Sequence, residues 1–462
     1  MHSNNKITAN QQQRIKKHAK NSTPHAFLQL LDSPQIREAI AELLPEHRQR
    51  LFPPTQTLSM FLSQALSPDR SCQAIVNQVA INNIIAEEVV QSSATGGYCK
   101  ARKRLPLAMV AELVRLTAQL VDQNMPQQWR WKNRPVRIVD GTTITMPDTP
   151  ENQAAYPQQT TQKQGLGFPI SRIVGITCLS SGAMLNAAMG PYKGKGGSEH
   201  GLLRSLLDTF QDGDIMLGDA LYGSYFLLAD CQARNVDVLF EQNGSRRLTT
   251  DFRTGKKLGR KDHLITLKKP HKCPDWMDRN EYELAPNSLT IREVYVGHKI
   301  LITSLLDSND YCVEMLKALY QSRWHIELDI RDIKTTLGME TLSCKTPEMA
   351  EKEMWVYFLS YNLIRIVMAE SALLADVLPR QLSFKHSLQV WRVFQQQSVS
   401  LAEVDIVDLI LKLVGQKVVG KRPGRIEPRA VKRRPKPFSL LVKSRHECQA
   451  EILKKGHPKK VK

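Results

Sequence analysis

Tyr320-Gln-Ser-Arg323-Trp324-His-Ile-Glu327-Leu-Asp-Ile-Arg331-Asp-Ile-Lys334 is the stretch from which the rest of the chain is best read. It lies within Asp310 to Thr336, which contains neither Gly nor Pro. Apolar residues recur there at helical spacing, at Val313, Leu316, Leu319, Ile326, Ile330 and Ile333. The pattern predicts one amphipathic helix, with Asp310 as N-cap and Gly338 as its stop. On such a helix Tyr320, Arg323, Glu327, Arg331 and Lys334 fall in a single stripe roughly 60° wide. An aromatic hydroxyl, a carboxylate and three cations then share one face. Most charged stripes are solvated ladders of ion pairs. A carboxylate among cations also suits a site that binds metal and phosphate together.

Composition narrows the choice. The chain has 462 residues, enough for a large core and two or three structural units. Its formal net charge of +19 points to a polyanionic partner, nucleic acid before an acidic membrane. No run of 18 apolar residues and no apolar leader are present, so neither a membrane span nor a secretory signal is expected. The eight cysteines are scattered without a C-x2-C pair, which fits reduced thiols in a cytoplasm. Cys273 with His271 and His263 is the one Cys/His grouping, and no second close pair completes a zinc tetrahedron. Gly165 to Phe168 and Lys193 to Gly197 lack the spacing of a phosphate loop.

Upstream of the helix the period changes from helical to β. Residues 1–25 are polar and read as disordered; 26–130 read as helices separated by Ser-Pro, Pro-Pro and Gly-Gly signals. From Val136 the runs are strand-like: Val136 to Asp140, Gly141 to Met146, Ile170 to Leu179, Ala183 to Met189, Asp214 to Asp219 and Val236 to Phe240. Helices are expected from Ser198 to Phe210 and from Tyr225 to Arg234, so the order predicts an α/β mixed sheet flanked by helices. Asp140 and Asp219 each close an apolar run before a small residue, which puts a carboxylate at a strand's mouth. Aspartate also ends strands simply because it starts turns.

Tyr320-x2-Arg323-x3-Glu327-x6-Lys334 resembles the Tyr-Arg-Glu-Lys motif of insertion-sequence transposases, in the family typified by insertion sequence four. Two upstream aspartates on strands strengthen the likeness, which covers roughly residues 58–440. The resemblance implies a ribonuclease-H-like catalytic domain over 131–370, carrying a β-rich insertion at about 242–297. It implies that Asp140, Asp219 and Glu327 are the catalytic acids and hold two Mg²⁺ ions, with Mn²⁺ as a substitute. Phosphodiester hydrolysis needs an activated water and a stabilised leaving oxygen, and hard cations need oxygen ligands. By the same resemblance Arg323 and Lys334 grip the phosphates flanking the scissile bond and Tyr320 contacts the terminal phosphate or base, with Arg331 on the same face; Trp324, directly after Arg323, either stacks with a flipped base or packs beneath the helix. Trp276, the insertion's tryptophan, is matched by location alone to a base-stacking aromatic. The helical domain would recognise the transposon end, and its cation-rich run contributes Lys100, Arg102 and Arg104, with Tyr98 available to stack.

The expected activity is cut-and-paste transposition. Terminal inverted repeats are bound, their ends cleaved, and the freed 3′-hydroxyl joined to target DNA, by a homodimer in the synaptic complex. The enzyme would be cytoplasmic and nucleoid-associated. Rival readings are another metal-dependent endonuclease of the same fold and a non-catalytic DNA-binding relative. Residues 371–420 read as further helices, and 421–462 as a basic disordered tail. From Gly415 onward there are 16 Lys or Arg against 3 Asp or Glu, so most of the excess charge lies there.

Overall fold

The computed structural model describes residues 34–44, 52–85, 87, 92–194, 196–397, 406–420 and 441–456. The N-terminal 25 residues and the Lys432 to Pro437 run, both expected as disordered, lie outside them. Nine strands form one sheet: β1 (Val136–Thr145), β2 (Ile170–Cys178), β3 (Met184–Pro191), β4 (Ile215–Gly218), β5 (Asp237–Glu241), β6 (Lys256–Gly259), β7 (Asp262–Lys268), β8 (Ser288–Val296) and β9 (Lys299–Thr303). Their order across the sheet is β3-β2-β1-β4-β5-β9-β8-β7-β6. β1 pairs antiparallel with β2 and parallel with β4, and β4 pairs parallel with β5. Every residue of β4 is buried, as a short apolar run covered on both faces should be.

The β-rich insertion does not stand apart. β9 pairs antiparallel with β5, and the β8–β9 hairpin carries β7 and β6 outward, so the insertion widens the same sheet. The expected helix from Ser198 to Phe210 is shorter: Ser198 caps Glu199–Arg204 by accepting from the Gly201 N–H, and a 3₁₀ turn, Leu207–Thr209, follows.

The helical N-terminal stretch forms Pro34–Leu43, Pro54–Leu66, Cys72–Ile85, Gly96–Arg104 and Leu107–Asn124. The apolar faces of Pro34–Leu43, Pro54–Leu66 and Leu107–Asn124 share one core with the long helix Pro347–Ala375 and with Ile333 and Leu337, while Cys72–Ile85 and Gly96–Arg104 pack in a smaller cluster with Phe52 and Met60. That long helix is long and apolar enough to cross a membrane, but 72% of its apolar window is buried inside the fold. It extends past the expected limit at 370. Phe384–Gln397 and Ile406–Gly415 complete the C-terminal helices. In the tail, Arg445–Lys455 is helical rather than disordered, because Ser444 and Glu447 form a reciprocal capping box.

Candidate active site

β1 is longer than β4, and the site forms where they part company. Their pairing ends at Ile138↔Leu217, while β1 continues against β2 to Thr145. Asp140 therefore lies within a strand, not at its end as expected; the Thr-rich continuation keeps pairing with β2 after β4 has stopped. Asp219 does sit just beyond β4, where its Oδ1 accepts from the Leu221 N–H at 2.8 Å and caps the 3₁₀ turn Ala220–Tyr222. Asp140 Oδ1 accepts from the Gly141 N–H at 2.8 Å.

The predicted helix is broken into three pieces. Val313–Gln321 starts after Cys312, so Asp310 is not its cap. Tight i→i−3 bonds at Arg323, His325 and Ile326 re-aim the chain before Trp324–Arg331, and Asp332–Leu337 is a π-helix stopped by Gly338 at φ +93°. A π segment is rare and frequent at functional sites. The uniform stripe expected from 100° per residue consequently does not survive.

What replaces it is tighter at one end. Arg323 donates from Nη2 to Glu327 Oε1 at 2.8 Å, and its Nη1 lies 3.7 Å from Asp140 Oδ2. One guanidinium thus bridges two acids that are 187 residues apart in sequence. Burial pushes the Asp140 carboxyl up to about 6; the Gly141 N–H and Arg323 oppose this, and the nearby negative charges of Asp219 and Glu327 add to it. Lys334, from the π segment, donates to the Thr143 carbonyl at 2.8 Å and reaches Thr142 Oγ1 at 3.4 Å, on the β1 stretch just after Asp140. Asp140, Asp219, Glu327, Arg323 and Lys334 therefore share one end of the sheet.

Other expected site residues lie elsewhere. Tyr320 is buried, and its hydroxyl donates to Glu241 Oε2 at 3.0 Å, at the end of β5. Arg331 points to solvent with Asp332 3.8 Å away. Trp324 is 55% exposed beside Arg323, not packed beneath the helix. Trp276 is also exposed, with its ring under the Arg204 guanidinium at 4.5 Å and edge-on to Phe226. Arg102 faces inward, 9% exposed, bonded to Gln64 and stacked on Phe61 and Tyr98. Tyr98 is fully buried with its hydroxyl on Gln64, so both side chains are turned into the fold. Their apolar neighbours Phe52 and Ala101 turn that helix face into the core, leaving Lys100 and Arg104 outside.

Two more residues stand at the site, Glu199 and Tyr222, to which the sequence reading gives no role. Glu199 lies over the site: a Cβ built on Gly141 would meet its Cδ and Oε2 at 2.5 Å, so any larger residue after Asp140 would push the Glu199 carboxylate aside. Tyr222 is fully buried and its hydroxyl has no partner; burial, with Glu199, Asp140 and Asp219 nearby, pushes its pKa well up. The Ser198 cap and the Asp219-x2-Tyr222 spacing were the visible signals for them.

Among the described residues no three His, Cys, Asp or Glu side chains stand close enough to hold a metal ion as they are. His263 is taken by Glu293 and by the Thr254 carbonyl, which disposes of the Cys/His grouping. Asp140, Asp219 and Glu327 remain an all-oxygen donor set of the type hard divalent cations take. They hold more negative charge than Arg323 alone neutralises.

Residues 131–363 match the family described as Transposase DDE domain. Over 412 residues the chain is 32% identical to the transposase InsG for insertion sequence element IS4 of Escherichia coli K12, covering 86% of this chain and 89% of that protein. The chain belongs to the IS4 family of DDE transposases. The transposase is also 36% identical over 61 residues to the transposase for insertion sequence element IS421 of Escherichia coli, covering 13% of this chain and 16% of that one. A cryo-EM structure of the piggyBac transposase synaptic complex with hairpin DNA aligns over 88% of this chain and 89% of that chain, with TM-score 0.40 and 13% identity. The protein is a DNA transposase, an enzyme of DNA cleavage and strand transfer.

Proposed function

We propose that Asp140, Asp219 and Glu327 are the catalytic acids of this transposase and the ligands of Mg²⁺, two ions with Mn²⁺ able to substitute. The observation that carries this is the Arg323 bridge, which ties Glu327 to Asp140 beside Asp219, where β1 runs on past the end of β4. The strand order β3-β2-β1-β4-β5, with β2 antiparallel to both neighbours, supports a ribonuclease-H-like core. When bound, the cations activate water and stabilise the leaving 3′-oxygen. The chain's own residues do the rest. Arg323 offers a fork that fits two phosphate oxygens, and Lys334 a point charge beside it. Trp324, exposed next to Arg323, and Trp276 are the aromatic surfaces available to unstacked bases. Tyr320 reaches DNA only by releasing Glu241.

In this reading the transposase cuts the terminal inverted repeats of its element and joins the 3′-hydroxyl to target DNA. It acts as a homodimer in the bacterial cytoplasm, on nucleoid DNA. The N-terminal helices recognise the ends, with Lys100 and Arg104 on their outer face and the basic tail adding sequence-blind contact. The test is to compare Asp140→Ala, Asp219→Ala and Glu327→Ala on DNA carrying the element's own ends. Each is expected to lose strand cleavage by at least 10³-fold, on the order of losses for removed transition-state stabilisers, while end binding stays within a few-fold. Normal nicking by Glu327→Ala would remove the assignment.

A further inference from the structure

Glu327 is a surface carboxylate on a helix of only eight residues, flanked by a tight turn and a π segment. Short, irregular helices do not hold a side chain in place by themselves. Something else must fix the rotation of this one about its axis. Asp329 lies two residues on, about 200° around the helix, so it faces the protein interior while Glu327 faces the site. It is wholly buried and accepts three charge-assisted hydrogen bonds: from Arg365 Nη2 at 2.6 Å, Arg380 Nη1 at 2.7 Å and Arg380 Nη2 at 2.9 Å.

Each arginine is itself anchored elsewhere. Arg380 also donates to the Leu179 carbonyl at 2.6 Å and the Cys178 carbonyl at 2.9 Å, where β2 ends. β2 is the strand paired with Asp140, through Gly175. Arg365 donates from Nε to the Tyr361 hydroxyl at 2.7 Å, and that hydroxyl donates to the Gly182 carbonyl at 2.9 Å in the β2–β3 turn. The arrangement ties the helix of Glu327 to the strand neighbouring Asp140 through planar, many-pointed contacts. Arg365 also faces the largely buried Asp332, so two cations stand here against two acids. Replacing such a cluster by apolar groups would often cost little stability, so its use here is geometric.

We infer that Asp329, Arg365 and Arg380 are positioning residues that hold Glu327 in register with Asp140 for metal binding. This rests on the assignment of Glu327 as a metal ligand. Groups of this kind, which orient a ligand without touching the metal, typically change affinity or activity 10–100-fold when altered.

The test uses full-length protein and Mn²⁺ alone, with free Mn²⁺ counted by electron paramagnetic resonance. Arg380→Lys keeps the charge and loses the fork. It is expected to weaken Mn²⁺ binding about tenfold or more, to leave end-DNA affinity within twofold, and to cut with a midpoint shifted to higher metal concentration. Glu327→Ala is measured in parallel. If Glu327→Ala binds Mn²⁺ poorly while Arg380→Lys binds it like the unaltered protein, the positioning role is overturned and the ligand assignment stands. If Glu327→Ala leaves Mn²⁺ binding untouched, the ligand assignment falls and takes this inference with it. Should Arg380→Lys not fold, Arg365→Lys, which leaves Arg380 on Asp329, is judged by the same two comparisons.

Discussion

Asp140→Asn should make the metal-free transposase more stable at neutral pH, not less. The side chain keeps its shape, and Oδ1 can still accept the Gly141 N–H; only the charge is lost. Burial beside Asp219 and Glu327 raises the carboxyl from its ordinary 3.8 to about 6. A rise of that size corresponds to about 3 kcal/mol of unfavourable interaction for the ionised form. Because the folded pKa exceeds the unfolded one, the folded chain keeps a proton that the unfolded chain releases between about pH 4 and 6. The stability linked to that proton is fully present below pH 4 and is lost as pH rises through 6. That net rise already includes the opposing pull of Arg323, 3.7 Å away, so the loss of this partner is not subtracted again. The expectation at pH 8 is therefore about 2–3 kcal/mol in favour of Asp140→Asn. Urea unfolding in EDTA, repeated from pH 4 to 8, measures it. The two proteins should coincide near pH 4, diverge between about pH 4 and 6 and keep a constant gap above that, and added Mg²⁺ should narrow the gap by stabilising only the unaltered protein. A variant of equal or lower stability at pH 8, or a difference independent of pH, would refute the electrostatic account.

Two further outcomes are expected. Arg323→Lys should lose most strand cleavage in Mg²⁺ at saturating end DNA, by about 10²-fold or more, because an ammonium cannot reproduce a fork that spans Glu327 and Asp140 or two phosphate oxygens. Near-normal turnover would make Arg323 a plain ion-pair partner. Deleting residues 421–462 should weaken binding to random DNA and flatten its salt dependence, by roughly 0.9 in the log–log slope for each phosphate no longer neutralised, since the charge excess lies in that region; an unchanged slope means the tail does not touch DNA.

The sheet was legible because its strands obey local rules. β4 is a bare apolar run and is buried on both faces; β2 and β3 flank a Ser-Ser-Gly turn that the structure uses as a hairpin. The separation of 26–130 into its own domain was less readable. An apolar helix face shows that something covers it, not what does. Leu113 and Val114 of Leu107–Asn124 lie in one core with Phe358 and Leu359 of Pro347–Ala375, some 245 residues later. Likewise, the cations at 100–104 are indistinguishable in sequence, and only the Gln64 side-chain carbonyl and the Phe61 ring decide that Arg102 turns inward.

The motif residues could be picked out by their spacing, but what brings them together could not. Asp140, Asp219, Glu327, Arg323 and Lys334 are brought together by two short-range features: a strand that outlasts its neighbour and a helix that changes pitch. Neither feature shows in periodicity, which assumes 100° per residue and would have kept Tyr320 and Arg331 on the same stripe. The tight bonds around Arg323 and the π segment around Lys334 add and remove rotation on either side of Glu327. Tyr320 is thereby turned to Glu241 and Lys334 reaches β1, while Arg331, four residues after Glu327 in the same regular helix, extends to solvent. The irregularity is the means by which a short helix delivers two cations and one carboxylate to a single point. It also leaves that helix dependent on Asp329 and its two arginines for its orientation.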